Sequence, residues 1–256
     1  MGSSGADPRE PLDLTPIADC GACRYRETLF PAGRCLAGDR CVRADSGRQI
    51  DRFFRANPEL AAEYIGDGFW ERRAIAARYL SQHRLAELIH DPDEAVRRVV
   101  AYRIPLEGLL AMRADADREV RITVADRLPA EHIESMAGDQ DYLVRAYVAR
   151  RLPPGRLFRL AADADRQVRR VVAERIPAVS LGLMAHDPEV EIRRLVASRM
   201  SGDHLLLLLD DPEWTVRYEV ALRVPAHALP RLAKDEDPEV RRVAEERLAD
   251  PDNPPA

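Results

Sequence analysis

Apolar and polar positions along this chain recur with a period of 24 residues. Shifted by that distance, Val96-Arg97 falls on Val120-Arg121, Val144-Arg145, Val168-Arg169, Ile192-Arg193, Val216-Arg217 and Val240-Arg241. An opening acid recurs with them, as Asp67, Asp91, Asp115, Asp139, Asp163, Asp187, Asp211 and Asp235, which makes eight units; a weaker half unit, NPELAAEYI, precedes them from Asn57. Val96, Val100 and Ile104 stand four apart and so share one face of an amphipathic helix, and small Ala101 beside them lets a neighbouring helix approach closely. The acid predicts an N-cap, accepting from the first free backbone N–H groups. Pro92, Pro188 and Pro212 then fall at the first helical position, and a second acid such as Asp93, Asp117 or Glu189 faces the positive helix end. Pro105, Pro129, Pro153, Pro177 and Pro225 stop the helix one residue earlier, after about three turns.

The second half of each unit carries apolar pairs three apart: Leu109 and Met112, Ile133 and Met136, Leu157 and Leu160, Leu181 and Met184, Leu205 and Leu208. That spacing predicts a short helix, α or 3₁₀, which so few residues do not distinguish. Neither half buries its apolar face alone, so the units must stack, and the end units must differ where they meet water. The last one does. Glu245 stands in the buried alanine column and Ala244 in the valine column, ahead of DPDNPPA. The pattern therefore predicts an all-α solenoid, divided into an N-terminal stretch 1–16 without order, a cysteine-bearing module 17–45, connecting helices and a half repeat 46–66, eight repeats 67–249 and a tail 250–256.

The module holds all four cysteines of the chain, Cys20, Cys23, Cys35 and Cys41, in the spacing C-x2-C-x11-C-x5-C. Disulfides suit a cytoplasmic chain with its own core poorly, which favours a metal site. Zinc takes four thiolates, although the x5 spacing is loose for it; an iron–sulfur cluster takes four as well, and spacing leaves both open. Arg24, Arg26, Arg34, Arg40 and Arg43 outnumber the acids around them, which suits an anionic centre and makes them candidate tuners of its potential. Gly21, Gly33 and Gly38 are the turn residues that let such a loop close. The aromatic residues Phe53, Phe54, Tyr64, Phe69 and Trp70 read as the seam that docks the module on the first repeat.

Other features narrow the function. A net charge of −5 argues against a dominant grip on nucleic acid or anionic membrane. No apolar run reaches the roughly 18 residues needed to span a bilayer, and the polar start lacks a signal sequence, so the protein is expected in the cytoplasm. Two files of arginine, one from Arg73 to Arg241 and one from Arg103 to Arg247, look suited to phosphates but read better as a structural ladder beside the aspartate file. His83, His90, His132, His186, His204 and His227 fall mostly in turn columns, and no catalytic motif is present, so no enzymatic activity is expected.

The 24-residue unit D-x-(D/E)-x-x-V-R-x-x-V-A-x-R-(L/I)-P, together with the N-terminal cysteine cluster, resembles the leucine-rich repeat variant family from about residue 17 onward. Arg72 in the valine column and Ser81 and Ser201 in the proline column depart from it. The resemblance implies alternating α and 3₁₀ helices in a right-handed superhelix, and a [4Fe-4S] cluster held by Cys20, Cys23, Cys35 and Cys41, with zinc as the alternative. It also implies a tie to nitrogen-fixing bacteria. The expected role is an interaction scaffold for an unidentified protein partner, with the cluster stiffening the cap or reporting redox state. An electron-transfer protein and a nucleic-acid-binding helical repeat are the competing classes.

Overall fold

The computed structural model of the protein describes residues 16–249, so the expectations for 1–15 and 250–256 lie outside the described residues. The described chain is helical, and its one β contact is an isolated bridge between Leu36 and Arg40. Each repeat contributes an α-helix of eight to twelve residues, for instance Glu94–Arg103, Tyr142–Arg151, Arg166–Arg175 and Val190–Arg199, followed by a shorter segment. Several of those segments are 3₁₀ throughout, as in Gln82–Leu88, Pro154–Leu160, Ala178–Met184 and Gly202–Leu208. Others begin or end with an α turn, as in Leu106–Ala111, Ala130–Ile133 and Leu229–Leu232. The element that periodicity leaves undecided is thus mostly 3₁₀, the tighter winding that spaces its apolar pairs three apart.

Two compact units make up the described residues, one ending at Val124 and one starting at Ala125. In the first, the Gly47–Ala56, Trp70–Ala77 and Glu94–Arg103 helices pack in succession; in the second, the helices from Tyr142 to Ala249 do so. The predicted columns form the core: Val96, Val100, Val144, Val148, Val168, Val172, Val216 and Val220 are wholly buried, as are Ala101, Ala149, Ala173 and Ala197. Glu245, at the end of that alanine column, is exposed.

The helix starts differ from the sequence expectation. The cap of Glu94–Arg103 is Asp93, whose carboxylate accepts from the Ala95 N–H at 3.0 Å; Asp141 and Asp165 do the same for Leu143 and Gln167, both at 2.8 Å. The opening acid lies two residues earlier. Asp91 accepts from the Asp93 N–H at 2.9 Å and so folds the turn ahead of the cap, which puts Pro92, Pro188 and Pro212 in that turn rather than inside the helix. The reason is tertiary, since the Asp91 carboxylate is already held by the preceding repeat. Arg73 forks onto it through Nε at 2.8 Å and Nη2 at 2.9 Å, while Arg73 Nη1 donates to the Asp67 carbonyl at 2.8 Å. Arg97 with Asp115 repeats the motif in the first unit; Arg145, Arg169, Arg193 and Arg217 repeat it in the second, on Asp163, Asp187, Asp211 and Asp235.

The second arginine file also works between repeats. Rather than neutralising its own helix end, Arg103 donates to the Ala77 and Leu80 carbonyls of the preceding helix. Arg199 reaches Ala173 and Ile176, and Arg247 reaches Ala221 and Val224. These carbonyls are the orphan acceptors that every helix C-terminus leaves. Both jobs need a planar fork of donors, and the chain carries a single lysine, Lys234, among its 39 basic residues.

Where proline is missing from the stop, two solutions appear. Ser81 keeps the geometry of proline, φ −65° and ψ 147°, whereas Ser201 is fully extended, at φ −145°, and the chain recovers its path through Gly202 at φ +59°. A side chain at 202 is strained in that left-handed region.

Candidate metal centre

Four short devices shape the cysteine module. Cys20 and Cys23 share one turn, closed by the Cys23 N–H on the Cys20 carbonyl at 3.3 Å, and the Asp19 carboxylate accepts from the Gly21 N–H at 2.7 Å. Gly33 turns the chain at φ +67°, after which the Arg34 and Cys35 N–H groups both reach the Leu29 carbonyl. Leu36 and Arg40 then exchange backbone hydrogen bonds at 2.8 and 2.9 Å around Gly38, at φ +78°. That tight hairpin explains the x5 spacing: Cys35 and Cys41 flank its two ends. Finally, the Cys41 N–H donates to the Gln49 carbonyl at 3.3 Å, which ties the hairpin to the Gly47–Ala56 helix. Gly33 and Gly38 are thus turn glycines as read from the sequence, while Gly21 serves through its N–H rather than through a positive φ.

None of the four cysteines is paired in a disulfide; Cys41 is buried and the others are half-buried. Burial pushes the Cys35 thiol up, and Cys23, Cys20 and Cys41 push it further, with Arg40 opposing them. Cys35 therefore lies within electrostatic reach of the other three. Among the described residues no three His, Cys, Asp or Glu side chains are drawn together around a single-ion site. An orphaned donor bears on the fit to a sulfur-ligated centre. Arg40 Nε, beside Cys41, is buried without a hydrogen-bond partner, although the Asp39 carboxylate stands 3.4 Å away. Thiolate and sulfide sulfur are acceptors that such an N–H serves.

The other arginines of the module have partners of their own. Arg24 lies over the Tyr25 and Tyr64 rings, 4.6 and 5.3 Å from their centroids, and pairs with Glu63 at 2.7 Å. Arg26 covers Phe30, Arg34 holds the Ala56 carbonyl and Glu59, and Arg43 donates to the Ala22 carbonyl. Of the five, Arg40 is the one with an unpartnered buried Nε, and Arg24 and Arg34 are docking residues. Phe53 and Phe54 are wholly buried and join Tyr25, Tyr64 and Tyr79 in one aromatic cluster, with centroids 5.2–6.1 Å apart. Phe69 and Trp70 pair with each other outside that cluster, and Trp70 is 42% exposed.

Sequence reasoning passed over Tyr25, Gln49 and Asn57. Asn57 donates from Nδ2 to the Arg34 carbonyl at 2.9 Å and to the Phe53 carbonyl at 2.8 Å; Gln49 donates to the Pro16 carbonyl at 2.7 Å. Both are wholly buried. For Asn57 a polar residue between apolar neighbours, ANP, was the available signal; Gln49, between Arg48 and Ile50, gave none. The histidines hold no shared site: five are exposed and His132 is half-buried. The first arginine file, which looked suited to phosphate, is spent on carboxylates and carbonyls inside the repeats.

Fold and site together define a helical-repeat protein of 24-residue units with a four-cysteine module at its N-terminal end. Residues 16–63 match the family model described as the FeS4 cluster of LRV proteins, and residues 70–93, 118–141 and 142–165 match that of the leucine-rich repeat variant. A solved structure described as a leucine-rich repeat variant with a novel repetitive protein structural motif is 60% identical, with a TM-score of 0.80 over 91% of this chain and 100% of that one. The chain belongs to the leucine-rich repeat variant family. A second relative, the 27.7 kDa protein in nifB 3'region of Rhodobacter capsulatus, is 44% identical over 97 residues, 38% of this chain and 39% of that protein. Among the described residues no helix is long and apolar enough to cross a membrane.

Proposed function

We propose that Cys20, Cys23, Cys35 and Cys41 hold a [4Fe-4S] cluster, and that the protein is a redox-responsive interaction scaffold without catalysis of its own, acting in the setting of nitrogen fixation. When bound, such a cluster supplies one-electron redox chemistry. The observation that carries the reading is the mechanical continuity between Cys35 and the first helices. Arg34, one residue before it, grips Ala56 and Glu59, and Asn57 grips the Arg34 carbonyl in return. A change of charge among the thiolates therefore acts on a loop that is bolted to the first helices, with Arg40 Nε as the donor that senses it. The nitrogen-fixation setting is supported by the relative in the nifB region.

Iron, sulfide and zinc analysis with a visible spectrum, on protein purified without oxygen, tests this. The expected result is equal iron and sulfide, with a broad absorption that dithionite bleaches, lost in Cys35→Ser. Arg40→Gln keeps the iron and moves the midpoint potential to more negative values, while Arg26→Gln leaves it in place. One zinc per chain and no colour overturns the proposal.

A further inference from the structure

From the second unit we infer a self-association surface: the exposed face of its 3₁₀ segments joins a second copy of this chain about a two-fold axis. The Ala178–Met184 segment turns Val179 and Leu183 outward, 81% and 64% exposed. Phe158, from the segment before it, is 54% exposed, and Leu206 and Leu207, from the segment after, are 39% and 49% exposed. Leu207 borders the Ala178–Met184 segment, since a Cβ placed on Gly182 meets its side chain at 3.4 Å, and the 24-residue period sets Phe158, Gly182 and Leu206 in one column. In the first unit the positions corresponding to Leu206 and Leu207 carry Ala86 and Glu87 in one segment and Leu110 and Ala111 in the next. Core packing does not require the apolar residues, because Leu157, Leu181 and Leu205 already fill the inward positions of the same segments.

Size and charge both favour a second copy. Five large apolar side chains at these exposures make a patch in the range of roughly 300–600 Å² that marks functional surface on a monomer. Two such patches face to face bury about 1,000 Å² with their rims, the lower bound for a specific interface. The rim is self-complementary. On the side of Phe158, Arg156 and Arg159 share the single carboxylate of Glu134, at 2.6 and 2.8 Å, which leaves one positive charge in excess. On the side of Leu207, Asp210 pairs with Arg231 and Asp203 faces the His227 ring at 3.7 Å, so that two carboxylates stand against one arginine. A two-fold axis through Leu183 sets the positive rim of one copy against the negative rim of the other, as an isologous contact demands. A parallel arrangement opposes like charges.

Sedimentation equilibrium of the full chain over a range of concentrations reads the association directly. The wild type is expected to pass from monomer to dimer as concentration rises. Leu183→Glu weakens that dimer by more than about tenfold while its thermal melt stays that of the wild type, since the side chain points outward. Arg159→Glu weakens association, and adding Asp203→Arg restores part of it, an outcome that loss of folding does not produce. A monomer at every concentration overturns the inference, as does a dimer indifferent to Leu183→Glu. If the Leu183 face captures another protein while the chain stays monomeric, the second copy is excluded as its occupant.

Discussion

The repeats and the cysteine module solve the same problem, holding short segments together, by opposite means. In the repeats one solution is copied: a buried valine column, an alanine that admits the next helix, and an arginine fork on the following aspartate. The bidentate pairs recur with Nε–Oδ2 distances of 2.7–2.8 Å. The module copies nothing. Each of its turns is made differently, and three buried polar atoms in or beside it, Arg40 Nε, Gln49 Oε1 and Asn57 Oδ1, have no hydrogen-bond partner. Such atoms are costly. Among the described residues the repeats leave one more such atom, Arg72 Nε in the first of them, so three of the four gather in or beside the module.

The comparison breaks most easily in the core of the repeats. Val148→Asp places an unpaired carboxylate among wholly buried side chains and is expected to cost about 4 kcal/mol or more, read by urea unfolding. An unchanged midpoint contradicts the stacked-column account. Next comes the ladder. Arg169→Ala strands the buried Asp187 carboxylate and is expected to cost about 3 kcal/mol, whereas a surface pair of equal length costs a fraction of that. If Arg169→Ala behaves like a surface mutant, the ladder is ornament.

Acid sharpens the same point. Burial pushes the carboxyls of Asp163 and Asp235 up, but hydrogen bonds from Arg145 and Arg217 and from the Asp165 and Asp237 N–H groups outweigh it, and both end below the usual range. A carboxylate held low in the folded state contributes stability that is present above its unfolded value of about 3.9 and is lost as pH falls through the folded one. The melting temperature is therefore expected to drop steeply below about pH 4, and less steeply in Asp163→Asn. The smallest effect belongs to Arg242. It grips Glu239 and Glu246, and its guanidinium is held firmly protonated, yet it is exposed. Calorimetry of Arg242→Gln is expected to show no measurable change, because solvent screens such pairs.

Much of the fold was open to reading because a repeat is its own evidence: Val96, Val100 and Ile104 are buried for the same reason in every copy. The cap was misplaced because two acids two residues apart look alike on paper. Asp91 and Asp93 differ only in that Arg73, 18 residues upstream, already holds one of them. The module was readable as four cysteines and two turn glycines, but not as a docked object. Tyr25, Gln49, Asn57 and Arg34 meet partners 22 to 39 residues away, and no local pattern announces such contacts.

By itself, then, the sequence determined the period, the buried columns, the helix stops and the four thiols, since each follows from local spacing and chain stereochemistry. Tertiary structure alone decided which aspartate caps a helix, which arginine of the module has an Nε–H to spare, and which leucines of a 3₁₀ segment are left facing water. Those are questions of which neighbour arrives first at a hydrogen bond or a surface, and the neighbours come from another repeat.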